Sequence, residues 1–393
     1  MRGLETGIVT HPTVHADWDR YFERRLGRGN RYVPDSRVWE DMINLVVRAD
    51  DLGYDFVFAP EHHVSPYGLS PDPLQWMTYV AGRTRRINLG TSVVVLPWHH
   101  PLRVAEQMSL LDNVAPGRRK LFGVARGVAP FEYAALQVPY DDRRARFDES
   151  VDIIKLALTE DSFSYDGEIF TLPEMTLRPQ PVNRELADSL LVAATSDETL
   201  VEGGKRGLGL LYAGQKSTDF IRTDLAALNT ERTQRGWEPV QPVLLVWMVC
   251  ASSEQAAYER FVQAIGVHLF ELTNNYAQAM WDESPTYADF VTNLRGRSTT
   301  EDHAKVQAFI DKQVWGTPAQ CLEKVRAIQE GTGASNISFQ IQFGDLTNTE
   351  ALDTITAFAG DRGLDKLHSI PADPPDWLIE DAYAASAPAA VAR

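Results

Sequence analysis

Glu61-His62-His63 sets an acid beside two imidazoles directly after the apolar run Phe56–Ala59. Histidine gains and loses a proton near neutral pH, so His62, oriented by Glu61 or a neighbour, is a candidate general acid or base. Adjacent residues of extended backbone point in opposite directions, so only one member of each pair, His62-His63 or His99-His100, can face a common site. Four histidines and Glu61 could instead ligate zinc. Neither pair has the His-x-His spacing that projects two ligands to one side, which argues against a metal. Loop histidines satisfied by local hydrogen bonds are the plainer alternative.

A second constellation lies further on. Arg126 ends the run Lys120–Ala125 beside Gly127, and Ala194-Thr195-Ser196 opens a helix after Leu190–Ala194. A guanidinium with hydroxyls and amides at a helix start is suited to a phosphate. The competing reading of Arg126 is a surface ion pair.

The elements that must carry these residues alternate along the chain. Gly7–Val9, Phe56–Ala59, Ile87–Leu96, Lys120–Ala125, Leu190–Ala194, Leu208–Tyr212, Val243–Cys250 and Ile337–Ile341 read as strands, several of them unbroken β-branched runs of the kind buried on both faces. Helical segments lie between them: one with Ser36 as N-cap and Gly53 as C-terminal signal, then Pro73–Gly82, one after Pro101, Arg143–Leu158, one capped by Ser196, one from Thr317-Pro318, and Thr349–Ala359. Asp166-Gly167 marks a hairpin within Phe163–Leu172. Eight strand–helix units make an α/β protein, a (β/α)8 TIM barrel with insertions whose site sits at the carboxyl ends of the strands. One domain is expected over 1–370, with Asp17–Arg31 read as a loop or lid, an insertion over about 269–305 that could form a lid, and a loosely ordered Pro/Ala-rich extension over 371–393.

Composition narrows the partners. The 38 basic against 54 acidic residues give a net charge of −16, which disfavours nucleic acid and anionic membranes. Two cysteines, Cys250 and Cys321, make no disulfide framework, and the N-terminus lacks a signal-peptide core, so a cytoplasmic protein without a membrane span is expected.

Several motifs together resemble the bacterial luciferase-like flavin-dependent monooxygenases: Glu61-His62-His63, Gly90-Thr91-Ser92-Val93 through Leu96-Pro97, Arg126-Gly127, Gly316-Thr317-Pro318-Ala319-Gln320-Cys321 and Gly333–Ile337. The likeness runs from about residue 40 to 360. It implies His62 as the catalytic histidine and a non-prolyl cis peptide at Ser92–Val93 lying against the flavin ring. It also implies a phosphate grip from Arg126, the Val128 amide, Ala194, Thr195, Ser196 and Thr199. The implied activity uses reduced FMN and dioxygen to oxygenate a small organic substrate. A separate NAD(P)H:flavin reductase would supply the flavin, since no Gly-x-Gly-x-x-Gly turn follows any strand, and a homodimer is expected. The family's strand-four cysteine is Ala125 here, and the acid of its phosphate loop is Ala194, which puts light emission in doubt. A deazaflavin-dependent oxidoreductase, a non-catalytic flavin-binding subunit and a metallohydrolase are the competing readings.

Overall fold

The computed structural model describes residues 3–22, 33–193, 196–213, 216–276, 306–360 and 363–384. Strands β1 (Glu5–Val9), β2 (Phe56–Ala59), β3 (Asn88–Val95) and β4 (Lys120–Ala125) are followed by a hairpin of β5 (Phe163–Asp166) and β6 (Thr171–Met175). Then come β7 (Leu190–Ala193), β8 (Gly209–Ala213), β9 (Val243–Cys250), β10 (Val314–Gly316) and β11 (Asn336–Gln340). Neighbours pair in parallel in the order β9-β11-β1-β2-β3-β4-β7-β8, and β8 pairs back to β9. The ring is closed: eight parallel strands, as the apolar runs predicted. Closure leaves no sheet edge unpaired among these eight.

Alternation assigns the two faces of each strand. Val9, Phe56, Phe58, Leu191, Leu211 and Val243 meet inside the barrel, while the opposite faces join the larger core beneath the helices. Gly90 makes room for this filling, because a Cβ there would stand 2.4 Å from the Phe58 ring.

The helices are α1 (Trp18–Phe22), α2 (Asp35–Leu52), α3 (Pro73–Arg83), α4 (Pro101–Val114), α5 (Pro130–Ala135), α6 (Arg143–Thr159), α7 (Asp197–Lys205), α8 (Thr218–Thr233), α9 (Glu254–Tyr276), α10 (Pro318–Thr332), α11 (Asn348–Gly360), α12 (Gly363–His368) and α13 (Asp376–Ala384). Gly53 ends α2 at φ 97°, and Thr317 with Gln320 forms a capping box on α10. Among the described residues, no helix is long and apolar enough to cross a membrane.

Several expectations are corrected. Ser36 does not cap α2: the helix starts at Asp35 after Pro34, two residues earlier than a Ser36 cap requires, and places Ser36 in its first turn. Asp17–Arg31 is not loop from its start, because α1 buries Trp18 in a cluster with Phe261 and Leu269; residues 23–32 lie outside the described residues. The insertion does not begin at Leu269, since the apolar stripe Phe261, Ile265, Leu269 and Leu272 carries α9 on to Tyr276; residues 277–305 lie outside the described residues. The extension is not loose through 384. Its α13 buries Leu378 and Ala382, Trp377 lies 4.0 Å under the Arg222 guanidinium, and Thr233 Oγ1 donates to the Ala382 carbonyl at 3.0 Å. Strand β10, three residues extending the pairing of β9, had no signal of its own.

Candidate active site

The strand ends separate two chemistries around the barrel mouth. On one side His11 follows β1 and His62 follows β2, both in the phase of the inward residues Val9 and Phe58. The His62 ring stacks on His11 at 5.6 Å and takes the edge of Tyr67 at 4.8 Å. Its Nδ1 stands 3.4 Å from Glu132 Oε1 on α5, and its Nε2 stands 3.2 Å from Tyr276 Oη at the end of α9. The imidazole is therefore held between a buried carboxylate and a phenol, the setting in which a histidine can receive a proton on one nitrogen while the other is fixed. Helix α9 is itself tied to the loops after β1 and β2. Thr13 Oγ1 donates to Glu271 Oε1 at 3.4 Å, and Ser65 Oγ donates to Asn275 Oδ1 at 2.8 Å.

Glu61 points the other way, as alternation requires. Its Oε1 meets His63 Nε2 at 3.1 Å and His99 Nε2 at 2.6 Å, and its Oε2 accepts the Val95 amide at 2.7 Å. Burial alone would push this carboxyl up, but the bonds from His63, His99 and Val95 outweigh it and hold the group below the usual carboxylate range. Burial likewise lowers His99, and the Glu61 contact overcomes it and raises the imidazole. This network ties the tops of β2 and β3 together from outside the mouth. Among the described residues, no three His, Cys, Asp or Glu side chains are grouped to hold a metal ion.

Across the mouth, Arg126 follows β4. Its guanidinium donates to Thr199 Oγ1 at 3.0 Å and Ser196 Oγ at 3.4 Å, and the two hydroxyls are 2.9 Å apart. Ser196 occupies the N-cap position of α7 without capping it, so its hydroxyl turns to Arg126 instead. Burial lowers the Arg126 pKa, and the nearby charges of Arg144 and Arg143 lower it further. Glu198, which pairs with Arg144, and Asp148 act in the opposite direction. A half-buried guanidinium whose side-chain partners are two neutral hydroxyls is a donor set suited to an anion.

The luciferase-like monooxygenase profile matches residues 24–335, about four-fifths of the sequence. The chain belongs to the luciferase-like monooxygenase family. It is 29% identical over 313 residues to 4-hydroxyprotoasukamycin monooxygenase of Streptomyces nodosus subsp. asukaensis, covering 76% of this chain and 79% of that one. It is 24% identical over 313 residues to the alkanal monooxygenase alpha chain of Photorhabdus luminescens, covering 77% and 85%. Among solved structures, monooxygenase RslO1 from Streptomyces bottropensis superposes with TM-score 0.73 at 24% identity, over 92% of this chain and all of that one. The same fold occurs in the oxygenating constituent of 3,6-diketocamphane monooxygenase of Pseudomonas putida in complex with FMN (TM-score 0.67, 17% identity, 91% and 97% covered). It occurs also in an F420-dependent secondary alcohol dehydrogenase with an F420-acetone adduct (TM-score 0.65, 13% identity, 91% and 98% covered).

In this luciferase-like barrel the residues singled out from the sequence fall as follows. His62 faces the mouth and His63 does not. Arg126, Ser196 and Thr199 come together. The Ser92–Val93 peptide is cis, at the point where the β3–β4 register shifts between Thr91 and Val94. Val128 lies in the loop before α5, where its carbonyl accepts from Tyr140 Oη at 3.5 Å. Ala194 and Thr195 lie outside the described residues. Glu61 does not orient His62: the alternation that separates His62 from His63 also sends Glu61 outward, and Glu132 takes that place. Glu132, Tyr276 and His11 were not singled out. Only His11 had a signal, as a histidine ending a strand; Glu132 and Tyr276 reach His62 across 70 and 214 residues.

Proposed function

We propose that the chain is a flavin-dependent monooxygenase that takes reduced FMN and dioxygen and oxygenates a small organic substrate. The observation that carries this reading is the half-buried Arg126 guanidinium, gathered with the hydroxyls of Ser196 and Thr199 at the start of α7. That donor set fits a phosphate monoester. Arg126, Ser196 and Thr199 would hold it, joined by the Val128 amide and by Ala194 and Thr195 at the turn into α7, while Ser92–Val93 would back the ring. Bound there, reduced flavin supplies the electrons that activate dioxygen. His62 moves the proton that oxygen transfer requires, with Glu132 fixing Nδ1 and Tyr276 meeting Nε2. Tyr67 and α9 keep water from the reacting centre. A separate NAD(P)H:flavin reductase supplies the reduced flavin, in keeping with the lack of a dinucleotide-binding turn. Exposed Tyr79, Leu110 and Val114 on α3 and α4 supply the apolar face for a homodimer, and the free thiols Cys250 and Cys321 suit a reducing cytoplasm.

Anaerobic titration with reduced FMN, riboflavin and F420 tests the reading. Wild-type protein is expected to bind FMN, and Arg126→Ala to weaken it by about 30- to 150-fold, the loss of roughly 2–3 kcal/mol from a charge-assisted bond. Riboflavin, which has no phosphate, should be unaffected. Tighter binding of F420 than of FMN would replace this reading with deazaflavin chemistry. Equal weakening of FMN and riboflavin would remove Arg126 from the phosphate.

A further inference from the structure

The loop after β2 makes an unusual turn just beyond the candidate catalytic histidine. Val64 stands at φ 54°, in the left-handed region that a β-branched side chain rarely adopts. Val64 is 63% exposed, so packing does not offset the strain. Such a conformation persists only where the surroundings fix it. Both of its neighbours are fixed. The His63 amide donates to Glu132 Oε1 at 2.8 Å, and Ser65 Oγ donates to Asn275 Oδ1 at 2.8 Å. The left-handed turn lies between a tether to α5 and a tether to α9.

The tether to α9 is placed where it bears on the chemistry. Asn275 immediately precedes Tyr276, whose Oη meets His62 Nε2 at 3.2 Å, and Ser65 follows His62 by three residues. Two side-chain bonds therefore join the same two short segments, 62–65 and 275–276. The apolar stripe of α9, Phe261, Ile265, Leu269 and Leu272, selects the face that is buried but does not set the axial position of the helix to an ångström. A directional bond between buried partners does, and Ser65 and Asn275 are both buried. One turn earlier the tie is looser: Glu271 Oε1 stands 3.4 Å from both Thr13 Oγ1 and His15 Nδ1. The short, buried bond is the one beside Tyr276.

We infer that Ser65 and Asn275 are positioning residues, a clamp that holds Tyr276 on His62 Nε2 and so keeps the imidazole in place for proton transfer. That role in turnover rests on the reading of the chain as a flavin-dependent monooxygenase; the clamp itself does not. Carbethoxylation of the full chain by diethylpyrocarbonate, which attacks a free imidazole nitrogen, measures the clamp without flavin. Each histidine is followed by peptide mass spectrometry, with an FMN titration on the same preparation. Ser65→Ala combined with Asn275→Leu removes both partners and leaves neither unpaired, so the urea midpoint should stay near that of the wild type. His62 should nevertheless react about fivefold faster, the equivalent of one lost hydrogen bond. His63 and His99, held by Glu61, should keep their rates. Tyr276→Phe should speed His62 to a similar extent, and adding the clamp changes to it should gain less than about twofold, because both act on one contact. An unchanged His62 rate in the clamp variant, full additivity with Tyr276→Phe, or a rise shared by His63 and His99 with a lower urea midpoint overturns the inference. A released His62 in a chain that does not bind FMN would retain the clamp and reject the flavin reading. FMN binding with an unchanged His62 rate would do the reverse.

Discussion

The two sides of the barrel mouth rest on the same apolar filling and differ in charge. On the Arg126 side, a cation, two hydroxyls and two further arginines gather at the start of α7. On the His62 side, the rings of His11, His62, Tyr67, Trp247 and His268 pack on one another, some stacked and some edge to face, and burial keeps His11 and His268 neutral. One side offers donors suited to a negative charge, the other rings that could share or pass a proton. The barrel supplies equivalent positions at every strand end; the first residues beyond each strand decide which chemistry stands there. A phosphate anchored on one side would leave the reacting part of the molecule free to meet the other.

The sharpest way to break this division is His62→Ala. If the histidine side does the chemistry and the arginine side the holding, product formation should fall about 100-fold or more, while FMN affinity and fold stay unchanged. Peroxide released from reduced flavin should rise in step, measured by a coupled peroxide assay. His63→Ala should leave turnover within a few-fold, because His63 pairs with Glu61 outside the mouth. A fall in FMN affinity in His62→Ala, or a larger loss of turnover in His63→Ala, would dissolve the distinction.

That distinction was partly legible before any fold was known. Phe56–Ala59, Lys120–Ala125 and Val243–Cys250 are strands with the bounds read from the sequence, because two-sided burial demands uninterrupted apolar runs that end where the chain turns polar. Arg126 with Ser196 was legible for a related reason, each sitting at the first turn beyond a strand, whereas Thr199 came only from the family resemblance. The partners of His62 were not. Glu132 lies on a six-residue helix with no periodic signature, and Tyr276 ends a helix whose apolar stripe continues into a segment that reads as polar insertion. Pairings across such separations are set by closure of the barrel, which no local pattern records. The caps show the converse failure: Ser36 and Ser196 have the right residue type, yet neither side chain caps its helix.

A network outside the mouth sharpens the comparison at the next level of effect. Glu61 binds His63, His99 and the Val95 amide with its carboxyl held below its usual range. A lowered carboxyl contributes stability that is present above its unfolded pKa and lost as pH falls through the folded value. The raised His99 contributes stability that is present below the unfolded histidine pKa and lost as pH rises through its folded value. The two overlap between about pH 4.5 and 6.5, the ordinary Glu and His values. Glu61→Gln should therefore cost about 2 kcal/mol in urea unfolding near pH 6, and less on either side of that window. An equal cost at pH 6 and pH 8.5 would show that the network acts through shape rather than charge.

The smallest effects lie within the arginine side, where two hydroxyls share one guanidinium. Thr199 Oγ1 stands 3.0 Å from the Arg126 nitrogen and Ser196 Oγ stands 3.4 Å away, the latter near the limit of a useful bond. Losing a neutral hydrogen bond costs about 0.5–1.5 kcal/mol. Thr199→Val should thus weaken FMN by roughly five- to tenfold, and Ser196→Ala by about threefold or less. The hydroxyls also touch each other at 2.9 Å, so removing one frees the other to turn. The double variant should accordingly depart from the sum of the single effects by about 0.5 kcal/mol or more, as contacting residues do. Quenching of flavin fluorescence measures all three dissociation constants. Additive losses, or a greater cost for Ser196→Ala than for Thr199→Val, would show that the pair contacts the cofactor independently and that the order of distances around Arg126 is not the order of its bonds.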